Sequence, residues 1–225
     1  MFEIRRPKIG LAGVMSRSYR GNKESFFASD HEAIADLSTK LMFDLKVIEK
    51  GIYDQAQAKK AASELAEWGA DFVLLQTSSF ASGDFLYPFT EIPALMGLWA
   101  VPEGNPGPGG GLPLNSFSAA NMYNSIIALH LKGYSKPVKW FFGRARTFDF
   151  VERLGVTAAA LRAFVNLSGS RIALIGGVAP GFDNLIVDVE LIRQKLGVEV
   201  LELDIEQILA GAEKVNSNLV SKTVR

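Results

Sequence analysis

In the segment Asp71-Phe-Val-Leu-Leu-Gln-Thr77, a short apolar run lies between Gly69 and a serine-rich stretch that starts at Ser78. A run of this kind, without helical periodicity, is typical of a strand that is buried on both faces of a parallel sheet. Similar runs recur over residues 8–14, 45–48, 94–100, 137–142, 171–176 and 198–203. Together these segments predict seven strands along the chain.

Segments with helical periodicity separate these runs. Asp54-Gln-Ala-Gln57 has the spacing of a capping box, and Gly69 is a suitable end for the helix that this box opens. Ser29-Asp-His-Glu32 has the same spacing and predicts a second helix start. Further helices are expected over 116–132, 148–166 and 184–196. The regular alternation predicts an α/β fold with a doubly wound, Rossmann-like parallel sheet.

A break in the pattern occurs at Leu167-Ser-Gly-Ser170, between a long helix and a new strand. Only two strand–helix units follow it, which is too few to cover both faces of a parallel sheet. These units either extend the first sheet or open another one. We predict the second arrangement, with an N-terminal α/β domain over 1–168 and the beginning of a second α/β domain over 169–225.

The composition excludes several classes of protein. The 225 residues include no cysteine, which rules out disulfide frameworks, thiol nucleophiles and cysteine-ligated zinc sites. The 24 Lys and Arg residues balance 24 Asp and Glu residues, so no basic surface for nucleic acid or an anionic membrane is indicated. No signal-peptide core follows Met1, and no apolar run reaches about 18 residues. We therefore expect a cytoplasmic protein.

Two polar loops follow predicted strands at the edge where α/β proteins bind ligands. The loop Met15–Lys23 contains Arg17 and Arg20, which could hold an anionic or polyhydroxylated ligand or could simply be solvated. The stretch Gln76–Gly83 offers amide and hydroxyl groups, either to a neutral polar ligand or to the cap of the next helix. The sequence alone leaves both alternatives open.

A third loop follows the fourth predicted strand and is unusually rich in glycine and proline. Nine of the twelve residues from Pro102 to Pro113 are Gly or Pro, which excludes a helix or a central strand. Long loops in this position are usually functional or disordered. Glu103 could act in ionic or acid–base chemistry or could face solvent. Asn115 could contact a ligand or could cap the helix that begins near Ser116.

Several of these stretches resemble the N-terminal region of the L-fucose/L-arabinose isomerase superfamily, in particular its fucose-isomerase-like members. The resemblance rests on segments that occur in the same order, namely Pro7–Gly10 with the Arg17/Arg20 loop, Leu98–Glu103 with Leu112–Phe117, Lys139–Gly143 and Arg171–Phe182.

The resemblance implies a polypeptide about twice this length that interconverts aldoses and ketoses. Such enzymes use Mn²⁺ or a similar divalent ion held by Glu, Asp and His residues, which the resemblance places after Arg225, so no metal ligand is assigned in this chain. In the family's oligomers the first domain reaches a neighbouring subunit's sugar. The resemblance thus implies a homo-oligomer and makes Arg17, Arg20, Glu103 and Asn115 candidate substrate-binding residues. A sulfonated sugar is as compatible as any other.

Two other functions remain open. A non-catalytic sugar-binding domain would use the same polar loops without a metal. An assembly domain would use the apolar residues Phe80, Phe85, Tyr87 and Phe89 together with the helix over 116–132. For the isomerase, we expect this chain by itself to be inactive on every aldose, with or without added Mn²⁺.

Overall fold

The computed structural model describes residues 4–106, 110–216 and 220–221. In these residues strands and helices alternate. The strands are β1 (Lys8–Val14), β2 (Asp44–Val47), β3 (Phe72–Thr77), β4 (Leu95–Ala100), β5 (Val138–Phe142), β6 (Arg171–Ile175) and β7 (Glu199–Leu203). The helices are α1 (Lys23–Leu41), α2 (Gln55–Trp68), α3 (Tyr87–Thr90), α4 (Ser116–His130), α5 (Phe148–Leu167), α6 (Val189–Leu196) and α7 (Ile205–Ala212).

The first five strands form one parallel sheet in the order β2-β1-β3-β4-β5. The chain builds β2 on one side of β1 and then crosses over to build β3 on the other side. Strands β6 and β7 pair with each other in a separate parallel sheet. The predicted α/β fold with a parallel sheet is therefore confirmed, and the last two strands do not extend the first sheet.

Helices cover both faces of the five-stranded sheet. Alternate residues of β1 show this arrangement, because Ile9 and Leu11 pack with α1 and α5 while Ala12 and Val14 pack with α2, α3 and α4. Each face is buried against its own hydrophobic cluster, which explains why β3 reads as a continuous apolar run. Phe85 and Phe89, which the assembly hypothesis used, are core residues at 8% and 2% exposure.

Local signals place α2 correctly. The Asp54 carboxylate accepts a hydrogen bond from Gln57 N at 2.7 Å, as the capping box predicts. The Gln57 side chain returns to Tyr53 N at 2.9 Å rather than to Asp54. The helix ends at Gly69, whose φ of 76° lies in the left-handed region that glycine adopts easily.

Two predicted helix starts are wrong. The helix that was expected to open at Ser29–Glu32 begins at Lys23, because Phe27 belongs to it and packs its ring under Gly13 at the end of β1. The helix expected over 184–196 begins at Val189, where Asp188 accepts a hydrogen bond from Leu191 N at 2.9 Å. For α1, tertiary packing outweighs an acceptable capping sequence, and for α6 the Asp188 side chain provides the cap.

The chain divides into two compact units, Met1–Val165 and Asn166–Arg225. The first unit holds the five-stranded sheet. The second unit holds β6, β7, α6 and α7, and its hydrophobic residue Val198 is buried at 1% exposure. Large apolar side chains on its strands and helices remain exposed, among them Ile172, Ile175, Leu191, Ile205 and Leu209.

Candidate functional site

The carboxyl edge of the five-stranded sheet is the expected location for a ligand. The order β2-β1-β3 reverses the direction of winding at β1, and ligands of open α/β sheets bind at such a switch point, beyond the carboxyl ends of the strands. The loops that meet there follow β1, β2, β3 and β4. They contain all four residues predicted to bind substrate.

Arg17 lies on the aromatic ring of Tyr53, with its guanidinium carbon 4.9 Å from the ring centroid. The Tyr53 hydroxyl donates a hydrogen bond to the carboxylate of Glu24. Arg17 is exposed, and among the described residues it makes no hydrogen bond or ion pair beyond this stacking contact. Its planar set of N–H donors is therefore available to a ligand.

The pairing of Tyr53 with Glu24 shifts the acidity of both groups. Burial and the hydrogen bond to Glu24 raise the pKa of Tyr53 to about 12, so its hydroxyl is neutral at physiological pH. Burial also acts to raise the pKa of Glu24, but hydrogen bonds from Tyr53 and Lys23 outweigh it and hold that pKa below its usual value. Glu24 is thus a carboxylate and Tyr53 a donor under ordinary conditions.

Tyr53 and Glu24 also line a cleft of about 880 Å³ between the end of β2 and the first turns of α2. This volume falls within the usual range for small-molecule sites. Charged side chains of both signs and apolar side chains line it. The lining residues include Met15, Phe27, Glu49, Lys50, Ile52, Gln57, Lys60 and Glu64.

Glu103 has a different role from the one that the sequence suggested. Its carboxylate accepts hydrogen bonds from Leu114 N at 2.6 Å, Asn115 N at 2.8 Å and Ser116 N at 3.1 Å. These amides lie at the start of α4, which the glycine- and proline-rich loop brings back to Glu103. The interpretation of Glu103 as a solvent-facing carboxylate is wrong, because it caps α4.

Asn115 occupies the position just before α4, as predicted, but its side chain does not cap the helix. Its backbone lies in the left-handed region, with φ at 53°, a conformation that asparagine tolerates better than most residues. The structure therefore brings Glu103 and Asn115 together through a backbone contact. This contact joins the Glu103 carboxylate to the backbone of Asn115, so it does not bring the two side chains into a joint binding surface.

Pro113 and Leu114, just before α4, connect three of the loops. The Leu114 carbonyl accepts a hydrogen bond from Phe80 N at 2.7 Å, and the neighbouring Pro113 carbonyl accepts one from Gly21 N at 3.3 Å. The loop that carries Arg20 thus contacts the segment that precedes α4. Arg20 itself is exposed and has no hydrogen bond or ion pair with the described part of the chain.

The polar residues at the end of β3 are engaged inside the protein. Gln76 donates to Asp30 at 3.0 Å, and Ser78 donates to Gln76 at 2.6 Å. Asp30 also accepts hydrogen bonds from Arg144 Nε at 2.9 Å and from Ala145 N at 3.1 Å. This buried network was missed, because Asp30 and Arg144 are 114 residues apart in the chain and only Gln76, a polar residue in an apolar strand, signalled it.

Two searches of the described residues bear on function. No cluster of three or more His, Asp or Glu side chains in residues 4–106, 110–216 and 220–221 could hold a metal ion. No described helix is long and apolar enough to span a membrane. The donors expected for Mn²⁺ are thus not gathered in this part of the protein.

Comparison with known proteins gives a partial match. No family model matches the sequence. The chain is 29% identical over 148 residues to the sulfoquinovose isomerases of Priestia aryabhattai and Priestia megaterium (strain ATCC 12872 / QMB1551). The matched region covers 64% of this chain and 31% of each relative, about a third of the relatives' length. Over part of its length the chain therefore resembles, distantly, a sugar isomerase.

Proposed function

We propose that this chain is the N-terminal part of a metal-dependent aldose–ketose isomerase of the L-fucose/L-arabinose isomerase type, and that its substrate is a sulfonated aldose such as sulfoquinovose. The observation that carries the proposal is Arg17, an exposed arginine with unpaired N–H donors that lies over Tyr53, a residue of the cleft at the carboxyl edge of the sheet. A guanidinium suits both sugar hydroxyls and a sulfonate. The resemblance to two sulfoquinovose isomerases supports the same substrate class.

In this proposal the first unit contributes the sugar-side loop that contains Arg17 and Arg20. Glu103 and Asn115 shape the start of α4 and keep the loops in place, rather than supplying reacting groups. In the same proposal, the metal centre and the proton-transferring carboxylates belong to further residues of a longer polypeptide. We also propose a homo-oligomer that acts in the cytoplasm on a small-molecule sugar.

The unit Asn166–Arg225 is, in the same proposal, the beginning of a second α/β domain. A sheet of two strands is marginally stable alone, and this one leaves apolar residues exposed on its strands and helices. Further strands and helices of the same polypeptide would cover those side chains. The 31% of each relative that the chain matches leaves room for them.

The test uses the protein encoded by the complete reading frame, purified and supplied with Mn²⁺. Incubation with sulfoquinovose should convert the aldose to a ketose, observed by NMR as loss of the anomeric proton signals, and a chelator should abolish the conversion. The 225-residue chain alone should convert none. If the complete protein shows saturable sugar binding without turnover, a non-catalytic sugar-binding domain is favoured instead. If it shows no binding and no turnover, both the isomerase and the sugar-binding domain are contradicted.

A further inference from the structure

Arg17 is oriented by an aromatic ring and not by an ion pair. The carboxylate of Glu24 already accepts a hydrogen bond from the Tyr53 hydroxyl. It also forms an ion pair with Lys23, whose Nζ lies 3.5 Å from Glu24 Oε1. Arg17 therefore lies over the ring of Tyr53 in a cation–π contact, with its guanidinium carbon 4.9 Å from the ring centroid. This contact occupies none of the guanidinium N–H groups in a hydrogen bond, so they remain available to a ligand.

Tyr53 is fixed at both ends. Its hydroxyl is bound to Glu24, and its backbone N–H donates to Gln57 Oε1 at 2.9 Å at the start of α2. The preceding residue, Ile52, is joined to the end of β1 by hydrogen bonds from Met15 N to Ile52 O and from Ile52 N to Gly13 O, both 2.9 Å long. These hydrogen bonds hold Tyr53 beside the carboxyl end of β1, where the loop that contains Arg17 begins.

The loop that contains Arg17 is also held. Ser16 N donates to Ser79 Oγ at 2.9 Å, and the buried Lys23 donates to the Tyr19 carbonyl at 2.6 Å. These contacts fix both ends of the loop and leave the Arg17 side chain to be placed by Tyr53. A guanidinium placed in advance loses less conformational entropy when it binds an anion.

We propose that Tyr53 and Glu24, which line the cleft, are positioning residues that hold the Arg17 guanidinium beside it so that it binds the sulfonate of the sugar. This inference rests on the proposed function for the identity of the sugar. In this inference Arg17 touches the ligand and distinguishes charged from neutral sugars. Tyr53 and Glu24 act through Arg17. Removal of the Tyr53 ring should therefore weaken binding of the charged sugar more than that of a neutral sugar.

The first measurement does not depend on activity. In the 225-residue chain with isotope-labelled arginine, the Arg17 side-chain protons should show an upfield ring-current shift in NMR spectra. The shift should persist in Tyr53→Phe and disappear in Tyr53→Leu. Tyr87→Leu, which removes another exposed tyrosine, is the matched control and should leave the shift unchanged. Absence of the shift in the unmodified chain would overturn the positioning role.

The second measurement uses the complete protein with sulfoquinovose and glucose as probes, with dissociation constants from calorimetry and KM and kcat where turnover occurs. Tyr53→Leu should raise the dissociation constant and the KM for sulfoquinovose about tenfold, with kcat nearly unchanged, because a contact common to ground and transition states is lost. Tyr53→Phe and Glu24→Gln should each give a smaller increase. In every variant the dissociation constant for glucose should change by a smaller factor than that for sulfoquinovose, because glucose has no anionic group for Arg17 to bind.

The two proposals fail in different ways. If the complete protein isomerises sulfoquinovose but Tyr53→Leu binds it as tightly as the unmodified protein, the positioning role is wrong and the proposed function stands. If the protein isomerises no aldose but Tyr53→Leu still loses sulfoquinovose binding selectively, the positioning role stands and the proposed function is wrong. Equal losses for sulfoquinovose and glucose would show a general structural defect and overturn the inference.

Discussion

Glu103 shows how a single side chain can be assigned the wrong role from sequence. Acidic residues near the amino end of a helix are stabilising, since the first turn presents unpaired N–H groups and a positive dipole end. Glu103 accepts hydrogen bonds from these N–H groups of α4, although it lies eleven residues before Leu114 in the chain. Only the closure of the loop between them makes this contact, and no local motif encodes it.

Replacing Glu103 by alanine should destabilise the first unit by about 1–2 kcal/mol, because the three amides at the start of α4 lose their acceptor. Urea unfolding followed by tryptophan fluorescence measures this, since Trp68, Trp99 and Trp140 all belong to the first unit. Glu103→Gln keeps one acceptor oxygen and should lose less. Glu91→Ala, at an exposed carboxylate, should change the free energy of unfolding by less than about 0.5 kcal/mol. A loss of similar size in both alanine variants would contradict the capping role.

The hydrogen bond between Tyr53 and Glu24 should be visible in the pH dependence of Glu24. In the folded protein the pKa of Glu24 lies below its ordinary value of 4.5, so its stabilising contribution is complete above that pH and declines as the pH falls. Tyr53→Phe removes the hydrogen bond and retains the burial, which acts to raise the pKa. A carboxyl-carbon NMR titration should therefore show the Glu24 pKa rising in Tyr53→Phe. An unchanged value would show that the hydrogen bond is absent in solution.

At the scale of elements, close packing of the sheet depends on small residues at particular places. A Cβ on Gly97 in β4 would lie 2.7 Å from the ring of Phe72 and 2.8 Å from the ring of Phe141. Both rings are buried, at 3% and 1% exposure. The face of the sheet that α5 covers therefore needs a glycine in its central strand.

A matched pair of glycine-to-alanine substitutions tests this packing. Gly97→Ala should destabilise the first unit by about 1–3 kcal/mol through overpacking. Gly155→Ala, inside α5, should stabilise it by about 0.5–1 kcal/mol, because the nearest neighbour of its Cβ would be Leu41 at 3.5 Å and alanine favours the helix. Thermal unfolding of both variants measures the difference. The same sign of change in both would contradict the packing described.

At the scale of the whole molecule, the two units differ in how well they bury their strands. Strands β1, β3 and β4 are buried almost throughout, with helices on both faces. Strands β6 and β7 are half-buried or exposed along their length. Local opening costs less free energy where few apolar contacts must be broken.

Hydrogen exchange in the 225-residue chain should therefore divide at the boundary between the units. Backbone amides of β6 and β7 should exchange faster than those of β1, β3 and β4, which are measured in the same sample by mass spectrometry. In the complete protein, the remainder of the proposed second domain would cover β6 and β7, and their exchange should slow. Equal protection of all five strands in the isolated chain would contradict the incomplete second domain.

Local patterns in the residues were sufficient to predict the fold class and most element positions. Buried parallel strands carry their own apolar signal, and α2 and α6 end at Gly69 and Gly197 through contacts within one turn. Such signals are local, so a short segment is sufficient to recognise them. The start of α1 was missed because packing of Phe27, and not a side-chain cap, accompanies it, and the start of α6 was missed because its cap, Asp188, was not recognised.

Only the tertiary structure decided the strand order β2-β1-β3-β4-β5 and the contacts at its carboxyl edge. The contact of Arg17 with Tyr53 and the ion pair of Arg144 with the buried Asp30 join residues that are distant in the chain. Each contact exists because the strand order brings together segments that are far apart in the chain. The side of the sheet on which the chain adds its next strand is not encoded in the periodicity of apolar residues. The loops near the site were therefore predictable, whereas the partners of their side chains were not.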